Sequence, residues 1–169
     1  MSDEVAERVR RDIDETGWHL VMIPPEHGTP GWAHTLGLWE RYEHPEFVIF
    51  GPDLESIGPL ANRLGTLVRG GRQFAADTNE DGILQNHTIA IRAVAPKWVP
   101  VFLGNAAWHY EREDVPALQA FWPDPGGHFP WEGRADASWR NDQPRLYEAD
   151  TLAALSEAMI DVLRREGAL

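Results

Sequence analysis

The chain contains no cysteine. Disulfides, thiolate metal sites and a cysteine nucleophile are excluded at once, and the composition fits a reducing cytoplasm. It is also short of positive charge: 15 Lys and Arg stand against 27 Asp and Glu, for a net charge of −12. An acidic chain repels phosphate backbones, and nucleic-acid binders carry a basic stripe. The basic clusters here, Arg8/Arg10/Arg11 and Arg164/Arg165, lie in terminal segments that also carry Asp and Glu. No nucleic-acid partner is expected, and the acidic surface reads as a solubility device. Long apolar runs are missing too. The longest uncharged apolar-rich stretch, Trp98–Tyr110, is too short and too polar to cross a bilayer. The first twenty residues are charged throughout, so no signal peptide is expected, and the protein reads as soluble and cytoplasmic. Catalytic signatures are absent as well: there is no G-x-S-x-G, no P-loop and no dinucleotide fingerprint, and no motif supports Thr35 or Ser138 as a nucleophile. The sequence therefore names no reaction and implies no particular cofactor.

What is present is an ordinary globular balance, 43% hydrophobic and 25% charged, in 169 residues. That length suits one domain, 1–169, with a core large enough to need no staple. Eight tryptophans are many for this size. Each has a large apolar body and one N–H donor, so each suits a core, a ligand wall or an interface.

Residues 2–16 predict a helix: Ser2 is an N-cap, Val5, Val9 and Ile13 form one apolar stripe, and Gly17 ends it. Trp18–Ile23, Trp32–Leu38 and Glu46–Phe50 read as strands, with a loop over 26–31 and a polar bend over Trp39–Pro45. Residues 53–69 give the clearest helical period, capped by Asp53 and stopped by Gly70-Gly71. A short strand is expected over Arg72–Ala76, a polar turn over Asp77–Gly82 and one long strand over Ile83–Val94. Pro96 to Pro100 breaks the pattern, Phe102–Glu111 suits a short helix and Ala117–Trp122 another strand. Residues 123–145 form a long, aromatic-containing loop, and loops of that length in compact domains carry function or lack order. The aromatics argue for order. A last helix, Thr151–Arg165, starts at Asp150 with Leu152, Leu155, Met159, Val162 and Leu163 turned inward. The strand links are mostly too short for parallel crossovers. The expected class is α+β: a mainly antiparallel sheet packed by an N-terminal, a central and a C-terminal helix.

Two stretches carry a recognisable pattern. The first holds Gly17-Trp18, Trp32-Ala33-His34-Thr35-Leu36-Gly37-Leu38, His44-Pro45-Glu46 and Gly51. The second holds Leu118-Gln119, Trp122-Pro123-Asp124, Gly127 and Phe129-Pro130-Trp131-Glu132. Together they resemble a bacterial domain-of-unknown-function family, the one numbered 4262, over roughly residues 15–147. One departure is His34, where the family pattern implies an aromatic residue, usually tyrosine. The resemblance implies a soluble bacterial protein and no known activity.

The polar and aromatic residues of these stretches are the candidate site. His34, His44 and Glu46 are of the types that hold a first-row metal with open positions. Against that, His44 caps the bend before Pro45 and Glu46 simply starts a strand, and no metal is assigned. Asp124, His128 and Glu132 are spaced by four, but the prolines and glycines between them forbid a shared helical face. Asp124 and His128 remain candidates for an acid/base pair, with a turn aspartate and a surface histidine as the plainer reading. Trp122, Phe129 and Trp131, with Trp32, line a pocket or fold the loop onto the sheet. The leading expectation is one small-molecule site between the 31–51 segment and the 119–132 loop. His44, Glu46, Asp124 and His128 would give acid/base or polar contacts, with hydrolysis the least forced chemistry, and Trp32, His34, Thr35, Trp122, Phe129 and Trp131 the ligand contacts. The rival is a protein-interaction module of accessory or immunity type, in which exposed tryptophans anchor a partner.

Overall fold

The computed structural model describes residues 1–169. The elements run α1 (Asp3–Thr16), β1 (His19–Ile23), β2 (Gly31–Leu36), α2 (Leu38–Tyr42), β3 (Glu46–Gly51), α3 (Leu54–Arg69), β4 (Thr78–Leu84) and β5 (His87–Ala93). A 3₁₀ turn (Pro96–Trp98) leads into α4 (Val99–Phe102) and α5 (Gly104–Tyr110). Then come β6 (Ala117–Phe121), α6 (Ala137–Asp142), α7 (Thr151–Ala154) and α8 (Glu157–Arg165). The six strands form one sheet in the order β1-β2-β3-β6-β5-β4. Every neighbouring pair is antiparallel except β3 and β6, which run parallel with Glu46 opposite Ala117. The expected α+β class, with helices from both ends and the middle of the chain against a mainly antiparallel sheet, is what the structure shows.

The strand sequences explain this order. All six residues of β3 are buried, as a strand covered on both faces requires, and its apolar run FVIF occupies the middle of the sheet. Phe47 and Ile49 face one core with Ile57, Leu60, Ala61 and Leu64 of α3. Val48 and Phe50 face the other, built with α1, the 98–106 segment and α8 through Val9, Ile13, Trp98, Phe102 and Ile160. Burying each Leu, Ile or Phe side chain contributes about 1.5–3 kcal/mol, so the two cores dominate the stability. α1 ends as expected, with Gly17 at φ 108 and its N–H on the carbonyls of Asp12 and Ile13. No helix is long and apolar enough to cross a membrane.

Several local expectations fail, each for a visible reason. Residues 83–94 are not one strand but the end of β4, a tight turn and β5: Leu84 pairs with His87 across Gln85-Asn86, and Asn86 takes the left-handed φ of 64 that the turn needs. The polar stretch 77–82 is therefore mostly strand, tolerated because β4 is an edge with one exposed side, and 72–76 is irregular. The bend after Leu38 is a helix, α2. The 123–145 loop contains the short helix α6. The C-terminal helix is two helices: Leu155 is extended at ψ 148, and Ser156 caps α8 by accepting from the Met159 N–H. That break rotates the helical phase, so Leu152, expected inside, is 77% exposed.

Candidate functional site

Glu46 opens β3 and is fully buried. Its carboxylate accepts five hydrogen bonds: from Thr35 Oγ1 (2.7 Å), the N–H groups of Gly37 (2.8 Å), Leu38 (3.3 Å) and Trp39 (3.2 Å), and Tyr110 Oη (2.7 Å). All five partners donate, which suits an acceptor-only group. Three are the free amides at the start of α2, where the helix dipole favours an anion. Gly37 reaches this position at φ 123, which a side chain would resist. Thr35 links the two strands, donating to Glu46 and accepting from the Phe47 N–H at 2.9 Å. Burial pushes the Tyr110 hydroxyl well above its ordinary range, and the Glu46 charge adds to the effect.

The histidines are equally engaged. The Phe74 N–H donates to His44 Nε2 at 3.0 Å, so the ring proton sits on Nδ1 and donates to the Pro45 carbonyl at 2.8 Å. Burial lowers the His44 pKa, opposed by the Pro45 bond and the Glu46 charge. His34 is 1% exposed and donates from Nδ1 to the Thr35 carbonyl at 2.9 Å. Burial holds its pKa down at about 4, the Thr35 bond opposing and the His19 charge adding. His34 is neutral at pH 7.

Asp124 organises the other stretch. Its Oδ1 accepts from the N–H groups of Gly126 and His128 and its Oδ2 from that of Asp136, each at 2.9 Å. These bonds, the one from His128 first, hold the carboxyl below its ordinary pKa against the cost of desolvation. His128 Nδ1 lies 3.3 Å from the same Oδ1, so this pair is brought together. Phe129 stacks on Trp131 at 5.0 Å, and Trp131 packs edge-on against Phe121 of β6. Trp122 donates its indole N–H to the Phe50 carbonyl at 2.7 Å.

The two stretches thus touch at one end of the sheet, through Trp122 and the Phe50-Gly51 strand end. A Cβ on Gly51 would come within 2.5 Å of the Trp122 ring. His44 and Glu46 lie elsewhere. β3 and β6 are parallel, so the residues before β3 and those after β6 sit at opposite ends of the sheet, roughly 15–20 Å apart along the strands. His44 and Glu46 are not placed beside Asp124 and His128. No group of three or more His, Asp or Glu side chains converges to a metal-binding arrangement.

Two of the sequence candidates border cavities: His44 lies at the edge of a hollow of about 170 Å³ with Tyr42, Arg69 and Arg72, and Trp32 at the edge of an aromatic cleft. Trp32 stacks on Phe50 and meets Phe102 edge-on, both at 5.6 Å between ring centres. Its indole N–H donates to the Phe102 carbonyl at 2.9 Å, which fixes the ring. Beside it lies a cleft of about 200 Å³ with Ile23, Thr29, Phe102 and Leu163 on its walls and the carboxylates of Glu26 and Glu166 as its charged groups. It adjoins a second hollow of about 250 Å³ that shares Glu26, Val162 and Glu166. Neither carboxylate has a cationic side chain within 4.0 Å among the six ion pairs of the molecule. The turn at Glu26–Thr29 is closed by the Thr29 N–H on the Glu26 carbonyl and packs through Gly28 on Ala158 of α8. Of these residues only Trp32 was a sequence candidate. Glu166 carried a faint signal: it caps the C-terminal end of α8, where the dipole disfavours an acid. Glu26 and Phe102 carried none, because their approach to Trp32 depends on the fold.

No curated protein and no solved structure matches the chain. A family model does: the one described as domain of unknown function (DUF4262) matches residues 12–136, which include the Glu46 hub, the Trp32 wall and the Asp124 loop. The chain belongs to the DUF4262 family.

Proposed function

We propose that the protein binds a small organic cation, an alkyl or methylated ammonium, in the cleft beside Trp32. The observation behind this reading is the pairing of two aromatic walls, Trp32 and Phe102, with two carboxylates that lack a cationic partner. Ligand sites are mostly apolar with a few placed polar groups. An ammonium gains from an aromatic face and from a carboxylate together. The reading is one of binding, without hydrolysis: His44, Glu46 and Asp124 spend their polar atoms on backbone and hydroxyl partners. In this reading they position the strands and the loop, and Trp32 alone of the sequence candidates touches the ligand. We place the protein in a bacterial cytoplasm, on its lack of cysteine and its family resemblance, and expect no nucleic-acid partner at a net charge of −12.

Calorimetric titration with n-butylammonium and with neutral 1-butanol tests this. The ammonium should bind and the alcohol should not, and Glu26→Gln with Glu166→Gln should remove the difference. Equal heats for both probes would overturn it.

A second reading has its own observation. Trp108 is 53% exposed on α5, over an open hollow lined by Ala6, Arg10 and Glu111. An exposed tryptophan with a polar rim is the usual form of an interaction anchor. A protein partner whose binding is lost in Trp108→Ala would favour it.

A further inference from the structure

The molecule carries 27 acidic side chains against 15 basic ones, and yet one of its clefts is lined by no acid at all. It lies between the 123–145 segment and the two C-terminal helices, with a volume of about 380 Å³. Arg140, at the end of α6, and Arg145 line it together with Asn141. Neither guanidinium is among the ion pairs of the molecule, so no carboxylate lies within 4.0 Å of either. The neighbouring Gln143 is already engaged: its side-chain oxygen accepts from the Trp122 N–H and its side-chain nitrogen donates to the Trp122 carbonyl. Apart from Ser156, whose hydroxyl accepts from the Met159 N–H, the rest of the lining is apolar and includes Pro130, Pro144, Leu155 and Leu152, the last being the most exposed large apolar residue of the molecule.

We infer that this cleft binds a small organic oxyanion, a carboxylate or phosphate head with a short aliphatic body. The head lies between the forks of Arg140 and Arg145, and the body lies on Leu152 and Pro130. The walls supporting the two arginines are set by backbone hydrogen bonds: the Arg145 N–H donates to the Ala154 carbonyl at 2.8 Å, and the Arg140 N–H to that of Asp136 at 3.1 Å. The cleft is therefore held open by the fold and does not depend on the ligand to form. A guanidinium presents paired donors that match two oxygens on one atom, so two of them select oxyanions over halide. In a chain of net charge −12, diffuse attraction works against anions, and a local pair without competing acids is what binding one demands. This site is separate from the Trp32 cleft, with no lining residue in common.

The test is an NMR titration of the full chain with inorganic phosphate, with isovalerate and with neutral isobutanol. The readouts are the Arg140 and Arg145 side-chain N–H signals and the Leu152 methyls. Phosphate or isovalerate should move the arginine signals, isovalerate should also move Leu152, and isobutanol should leave the arginines still. Phosphate alone binding would assign a phosphate head, and isovalerate alone a carboxylate. Arg140→Gln and Arg145→Gln should each weaken binding by about tenfold, since a charged hydrogen bond is lost. Both positions are exposed, so the backbone amide spectrum should stay that of the folded protein. Arg→Lys at both positions should keep the attraction to phosphate and lose part of the affinity, as expected if the forks matter as well as the charge. Failure of both anions to move the arginine signals, or equal binding by a protein carrying Arg140→Gln and Arg145→Gln together, would overturn the inference.

Discussion

The carboxylate of Glu46 and the hydroxyl of Tyr110 meet at 2.7 Å across 64 positions of sequence. This bond ties α5 to the sheet at the point where the same carboxylate caps α2. Removing it should therefore unsettle three elements at once.

Glu46→Ala leaves three backbone amides and two hydroxyls without their acceptor in a fully buried place. The expected cost is on the order of 3–5 kcal/mol. Tyr110→Phe removes one donor only and should cost about 1–3 kcal/mol. Urea unfolding of the two variants measures both. A Glu46→Ala protein as stable as the parent would show that the hub does not hold the fold.

His34 makes stability depend on pH. Its folded pKa, about 4, lies below the ordinary 6.5, so between these values the unfolded chain binds the proton that the folded chain refuses. The contribution is complete above pH 6.5 and is lost as the pH falls through about 4, roughly 3 kcal/mol in all. His44 is lowered too and acts in the same direction. His34→Phe should flatten this part of the curve of unfolding free energy against pH. An unchanged slope would remove His34 as its source.

Gly51 passes under the Trp122 ring with no room for a methyl group. Gly51→Ala must displace an indole that is also bonded to the Phe50 carbonyl. Overpacking of this kind costs about 1–3 kcal/mol. A lowered melting temperature, with a shifted Trp122 indole signal, is the expected result.

Asp124→Ala should free the loop that Asp124 gathers. The amides of Gly126, His128 and Asp136 donate to its carboxylate, so they should lose protection in hydrogen exchange while those of β3 keep theirs. Loss of protection throughout the sheet would mean that Asp124 supports the whole fold.

These residues also show how far the sequence could be read. The continuous apolar run of β3, the helical period of 54–69 and the caps at Ser2 and Asp53 act through neighbours in the chain, and each is found as expected. The alternation over Ile89–Val94 marks a true strand, but the turn before it has one sequence cue, Asn86, which takes a φ of 64. Leu152 was placed inward by a period that Ser156 interrupts. For the site the gap is wider. A buried glutamate that caps a helix and a glutamate that does chemistry look alike in sequence, because Tyr110 and the turn of α2 are what distinguish them. The same holds for His44, whose second partner, Phe74, is 30 positions away. Trp32 stands out in sequence as an aromatic of the 31–51 segment, whereas Glu26 and Glu166 come to line the cleft beside it only through the docking of α8 on the 26–29 turn.

The most direct measurement follows the eight tryptophan indole N–H signals while n-butylammonium is added. Binding beside Trp32 should move its signal, which is anchored on the Phe102 carbonyl, and leave those of Trp122, Trp131 and Trp139 in place. Movement of Trp122 and Trp131 with Trp32 unmoved would contradict the Trp32 cleft and put the ligand in the 119–132 loop.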